Sequence, residues 1–324
     1  MLRLAIVGCG EHSRGSHAAP LARYAANHPG QVELAAACDI DPQRADAFCH
    51  DFKFARAYTD IEQMLATEEL HACISVMPVG RIVDVATLLL ERKMPCVIEK
   101  PLGQSLAEVE QLAQVARMTA TPHMVSVNRR FMPYLNRACS WAKRAGRLQY
   151  VRATQVRHNR SELDFIWSTA IHPLDALRHI AGDVEEFKTE IFAEGLSTIW
   201  YAISLTFAGG VTGRVEILPT AGMVEEWYEL YGEGFRARVV AGSGSQRSLE
   251  CWRNGQQEIN EQSPETEPED LRNGSYEEVE EFVGALKIGK APRPTVEDIL
   301  PSARVCFAIS EEVTRQIGSK TIRF

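Results

Sequence analysis

Residues 1–17 read MLRLAIVGCGEHSRGSH. An apolar run, LRLAIV, ends at Gly8, and after Gly10 the chain can enter a helix. A buried strand that turns on glycines into a helix N-terminus is a phosphate-cradling corner. Without a Cβ the backbone approaches a pyrophosphate, whose charge rests on the helix amides and dipole. Gly8 and Gly10 fit the G-x-G-x-x-G spacing, but Ser13 stands where the third glycine belongs and Gly15 follows two residues later. A loop longer than the standard turn is therefore expected. The next strand-like run, VELAAACD, ends in Asp39. An acid there accepts hydrogen bonds from ribose hydroxyls and repels a 2'-phosphate, which favours NAD. Arg14 and Arg44 lie close enough in sequence to keep NADP open.

Outward from this corner, LRLAIVG, VELAAACD, HACISVM, CVIEK and MVSVNR alternate with helical patterns such as PQRADAFCHDF, RIVDVATLLLERK and SLAEVEQLAQVARM. That alternation predicts an α/β domain over residues 1–123, a doubly wound parallel sheet whose strands are apolar because both faces are covered. From residue 124 to 324 the rhythm changes. Long strand-like runs (LQYVRATQVRH, FKTEIFAEG, TIWYAISLTFAGG, VTGRVEILPT, EEWYELYGEG, RARVVAG), many joined at glycines, predict an α+β domain with a mainly antiparallel open sheet. The acidic stretch 254–273 reads as a surface loop before an amphipathic helix, SYEEVEEFVGALKIG.

With 324 residues, two domains are the natural expectation. A net charge of -8 argues against nucleic-acid partners. Apolar runs broken by charge or glycine within about ten residues argue against a membrane span. The start runs straight into a strand and is read as lacking a signal peptide. Eight cysteines, scattered without CxxC pairs, read as buried, reduced residues of a cytoplasmic protein, and no metal site is expected.

In the stretch CVIEKPLGQ, residues 96–104, an apolar strand delivers Glu99 and then Lys100 where it stops. Strand carboxyl ends line the ligand crevice of such sheets, so Lys100 is expected to face the nicotinamide end of the cofactor. Near a cationic ring and partly desolvated, its pKa is expected to fall until it exchanges a proton with a substrate hydroxyl. The alternative is a lysine that reaches water along its stem. In STAIHPLDALRHIAG, Ser168, His172, Asp175 and His179 share one side of a helix, while Ala170, Leu174, Leu177 and Ala181 share the other. Spacing alone leaves open whether those histidines are functional or solvated. Asn128, Arg129 and Arg130 stand at the domain junction, placed either to position ligands or to hold the hinge by ion pairs.

The GxG turn, the EKP strand end, VNRRF, IHPLDALRHIAG and APRPTVEDI together resemble the Gfo/Idh/MocA oxidoreductases over essentially the whole chain. The resemblance implies an N-terminal Rossmann domain, a nicotinamide cofactor, NAD or NADP, and a C-terminal domain whose open sheet makes subunit contacts, here a homodimer or homotetramer. It implies that Lys100 and His172 take part in proton transfer during oxidation of a hydroxyl. The implied cofactor set is Gly8, Gly10, Ser13, Asp39, Pro78 and Glu99. The implied substrate set is Asn128, Arg129, Ser168 and Asp175, for a sugar-like or polyol-like molecule. Many members carry an aspartate four residues before the helix histidine. Ser168 stands there instead and cannot supply that charge. A ligand sensor with a retained cofactor domain and an NAD-dependent glycosidase are the other two classes in play.

Overall fold

The structure, a computed structural model, describes residues 1–162, 164–191, 199–241 and 247–320. The chain divides into two compact units, one formed by residues 1–128 with 274–300, the other by 129–273 with 301–324.

The first unit is built on a six-stranded parallel sheet in the order β3-β2-β1-β4-β5-β6. Its strands are β1 (Leu2–Val7), β2 (Val32–Cys38), β3 (Arg56–Tyr58), β4 (Ala72–Ser75), β5 (Cys96–Glu99) and β6 (His123–Ser126). Every residue of β4, β5 and β6 is buried, as expected of strands covered on both faces. The helices are α1 (Glu11–Ser13), α2 (Ala19–Asn27), α3 (Pro42–Phe52), α4 (Ile61–Thr67), α5 (Val79–Glu91) and α6 (Leu106–Thr119). Asp41 caps α3 by accepting from the amides of Gln43 and Arg44, and Ser105 caps α6 by accepting from Glu108. The strand order reverses between β1 and β4, which puts the ligand-binding switch point beside the glycine corner.

The second unit begins with α7 (Pro133–Ala145) and carries an eight-stranded sheet in the order β14-β13-β12-β11-β7-β10-β9-β8. The strands are β7 (Leu148–Val156), β8 (Val184–Ile191), β9 (Tyr201–Phe207), β10 (Thr212–Leu218), β11 (Glu225–Gly232), β12 (Phe235–Ala241), β13 (Ser248–Arg253) and β14 (Gln256–Gln262). All pairings are antiparallel except β7 with β10. Helices α8 (Phe165–Ser168) and α9 (Ile171–Ala181) follow β7, and α10 (Glu269–Arg272) follows β14. Two further helices complete the chain, α11 (Ser275–Lys287) in the first unit and α12 (Val296–Lys320), with Pro301 inside it.

Two expectations change. A division at residue 123/124 cuts through β6, which pairs along β5; the first unit runs on to Asn128 and takes in 274–300. The reason is packing: α11 lies on α2, and the Pro294 carbonyl accepts from the Val125 amide. The stretch 254–273 is not all loop. Its first half is β14, paired with β13, and α10 follows; polar edge residues hid a strand exposed on most of its length. The strand read from FKTEIFAEG is present to Ile191, and its residues 192–195 lie outside the described residues.

The sheet face away from the helices carries ion pairs. Arg152 pairs with Glu216 at 2.6 Å, Arg214 with Glu190 at 3.1 Å and Arg236 with Glu250 at 3.3 Å. Strand alternation places Tyr150, Trp227 and Tyr231 on that same face.

Candidate active site

In the first unit, Gly8 sits at φ +93°, and a Cβ there would fall 2.0 Å from the Val76 carbonyl oxygen. Only glycine permits this approach of β1 to the chain leaving β4. Around Gly10 a Cβ would meet nothing within 4 Å, so the start of α1 is open to a ligand. Gly8 and Gly10 therefore fit a dinucleotide pyrophosphate, as do the amides of the helix that follows. Ser13 is buried. The unregistered third glycine resolves as a π-helical turn, Arg14–Ala18, between α1 and α2. Such a turn absorbs an inserted residue without breaking the helix.

Asp39 follows β2. Its carboxylate accepts from the Cys9 amide at 2.8 Å and the Asp41 amide at 3.0 Å, and the Arg44 guanidinium lies 2.9 Å away. One carboxylate has about four acceptor positions, so capacity for a ribose hydroxyl remains. Pro78 caps α5, whose N-terminus thus opens directly after β4. Burial, then the Asp39 charge, push the Cys9 thiol up to about 12, and burial pushes Cys38 up to about 11, so both stay protonated.

At the end of β5, Glu99 is buried and faces two histidines. His17, in the π turn, lies 2.7 Å from one oxygen and His12 lies 3.3 Å from the other. Burial alone would raise the Glu99 pKa, but these two partners hold it well below 4.5. The clamp ties the glycine corner to the strand that presents Lys100. The ligand-type atoms of the three residues lie within 4.8 Å of one another. His12 and His17 were missed in the sequence, where the signal is two histidines five residues apart straddling an irregular fingerprint.

In the second unit, His172 lies buried in the first turn of α9, with Ser168 buried one turn earlier at the end of α8. The four-residue stripe is not one surface. Asp175 is 1% exposed, whereas His179 is exposed. Asp175 accepts a two-pronged contact from Arg130, at 2.7 and 2.8 Å, and the Ser302 hydroxyl at 2.6 Å. Those partners make it a holder of Arg130, not an open ligand for substrate hydroxyls.

Arg129 makes the same kind of contact to Glu226, at 2.7 and 3.0 Å. Glu226 also accepts from Arg157, from Tyr228 at 2.9 Å and from Gln155 at 3.2 Å. Gln155 in turn reaches the Thr169 carbonyl at 3.4 Å, which accepts from the His172 amide. Burial would raise the Glu226 pKa; Arg129, Arg157 and, more weakly, His172 hold it well below the usual range. Both junction arginines thus serve ion pairs within their own unit. Glu226 and Gln155, also missed, are register partners on the face of the sheet shared with Tyr228 and Leu230. A glutamate in phase with buried apolar neighbours was the available signal. Asn128 ends the first unit.

Residues 2–128 match the Gfo/Idh/MocA family model, described as an oxidoreductase family with an NAD-binding Rossmann fold. The chain is 24% identical over 248 residues to an inositol 2-dehydrogenase of Corynebacterium glutamicum, covering 72% of this chain and 73% of that protein. It is 26% identical over 232 residues to a D-apiose dehydrogenase of Paraburkholderia graminis, covering 65% and 59%. A Gfo/Idh/MocA family oxidoreductase from Vibrio cholerae shares the fold at a TM-score of 0.83 and 21% identity, over 98% of this chain and all of that one. An oxidoreductase from Agrobacterium radiobacter, solved with NAD+, L-tartaric acid and magnesium, shares it at 0.79 and 18% identity, over 94% of each. The fold class read from the motifs is borne out, and the family model matches the resemblance over residues 2–128.

Proposed function

We propose that this chain is an NAD-binding oxidoreductase of the Gfo/Idh/MocA kind and that it interconverts a hydroxyl and a carbonyl on a sugar-like or polyol-like small molecule. The observation that carries this reading is the glycine corner clamped through His17 and Glu99 to the strand end that bears Lys100. When bound, the nicotinamide supplies the hydride acceptor or donor. Lys100 takes or returns the hydroxyl proton, and His172 assists it. The named dehydrogenase relatives favour this over sensing or glycoside cleavage.

Gly8, Gly10, Ser13 and Pro78 shape the cofactor site in this reading, and Glu99 holds it in place. Asp39 selects NAD, while the neighbouring Arg44 is the group an NADP phosphate would meet. Asn128, Arg129 and Ser168 line the substrate side; Arg129 and Glu226 act by fixing the surroundings of His172. The second sheet face, with its arginines, Tyr150, Trp227 and Tyr231, has the residue types enriched in subunit interfaces and is read as the surface of a homodimer or homotetramer. Among the described residues no helix is long and apolar enough to cross a membrane. The eight free cysteines support a cytoplasmic location.

The test is absorbance at the reduced-nicotinamide band with NAD or NADP and a panel of sugars, polyols and sugar acids. Net reduction with one substrate class supports the reading. No change with either cofactor, or cleavage of a glycoside without net change, refutes it.

A further inference from the structure

A cavity of about 370 Å³ lies in the second unit between α7 and α9, floored by Leu148 and Leu230 of the sheet. That volume is in the range of small-molecule sites, about 300–1,000 Å³. Its charged lining is entirely cationic among the described residues, Arg129, Arg130 and Lys143, with the His179 imidazole beside them as a hydrogen-bonding group. The two arginines have counter-charges in Glu226 and Asp175. Lys143 makes no ion pair among the described residues. His179, at the rim, has its pKa held below the ordinary value by desolvation against the wall, then by Arg130, with Lys143 adding to it. The walls beside these groups are apolar, Leu135 and Ile180 among them.

A cavity of mixed lining, with cations beside apolar side chains, is complementary to an anion that carries an apolar body. We propose that this cavity binds a small organic anion, its carboxylate or phosphate held by Arg130, Lys143 and His179 and its body laid on Leu148, Ile180 and Leu230. The site is distinct from the hydroxyl chemistry assigned to His172, since His179 stands seven residues further along α9, about 10 Å along its axis.

The test is calorimetry on the whole chain in phosphate-free buffer, with benzoate, phenyl phosphate and the neutral benzyl alcohol as probes. At least one of the two anions binds and benzyl alcohol does not; which anion binds identifies the headgroup. Lys143→Gln and His179→Gln, both at exposed positions that leave the fold intact, each weaken the bound anion, by about tenfold for the lysine. Failure of both anions to bind overturns the proposal. So does benzyl alcohol binding as tightly as the anions, or an anion that binds parent and Lys143→Gln equally, because it then sits elsewhere, as at the glycine corner.

Discussion

Replacing Asp175 by asparagine keeps the shape of the side chain and removes its charge. The carboxylate is 1% exposed and receives two guanidinium contacts from Arg130 and one hydroxyl from Ser302. Arg130, itself only 11% exposed along its side chain, is left without its counter-charge. Breaking one side of a buried ion pair costs about 3–5 kcal/mol, chiefly because the remaining charge stays desolvated. The loss of the Ser302 contact falls within that figure, since the groups share one carboxylate and their effects do not add. The assay is urea unfolding followed by tryptophan fluorescence. All five tryptophans, Trp141, Trp167, Trp200, Trp227 and Trp252, belong to the second unit, so the signal reports on the unit that holds the pair. Joint replacement, Arg130→Met with Asp175→Leu, is expected to recover part of the loss, because no charge is then stranded. A loss below about 1 kcal/mol, accompanied by a raised KM, would instead make Asp175 a substrate ligand and refute the structural role.

Gly8→Ala forces a left-handed residue, costing roughly 1–2 kcal/mol before any clash with Val76, and is expected to abolish dinucleotide binding by calorimetry; retained binding would show that the corner can shift. Because the Glu99 pKa is depressed, its stabilisation is complete above 4.5 and is lost as pH falls towards the depressed value. The stability gap between parent and Glu99→Gln, measured by urea unfolding, should therefore narrow below pH 4.5, and a gap independent of pH would contradict the clamp. Ser168→Asp should shift the pH profile of turnover only while His172 is present; additive effects of Ser168→Asp and His172→Ala would show that the two do not act as a unit.

Much of the fold was legible because its signals are local. LRLAIV, CVIE and HMVS are largely apolar without polar alternation, and that pattern belongs to parallel strands buried on both faces. The Asp41 and Ser105 caps mark helix starts within a few residues. β14 was hidden because its side chains are polar, although the Asn254-Gly255 turn that joins it to β13 is a local hairpin signal. The long-range reach of 274–300 into the first unit left no local trace. At the proposed site, the strand end pointed to Lys100, whereas His172 rested on the family resemblance, because helix spacing alone left its role open. What Asp175 and Arg129 do could not be found in the sequence, because an ion pair between residues 45 or 97 positions apart is set by tertiary packing. The π turn was foreshadowed by the displaced glycine, but His17 as partner of Glu99 requires knowing that β1 and β5 end on the same side of the sheet.

The central claim is that Lys100 carries the proton chemistry of a nicotinamide-dependent oxidation. It is tested most directly by Lys100→Met, with turnover followed at the reduced-nicotinamide band and dinucleotide affinity followed by calorimetry on the same preparation. The account predicts turnover reduced by about 10²-fold or more, with dinucleotide affinity within a few-fold of the parent. Turnover equal to the parent would contradict it and return Lys100 to a solvated side chain at the end of a strand.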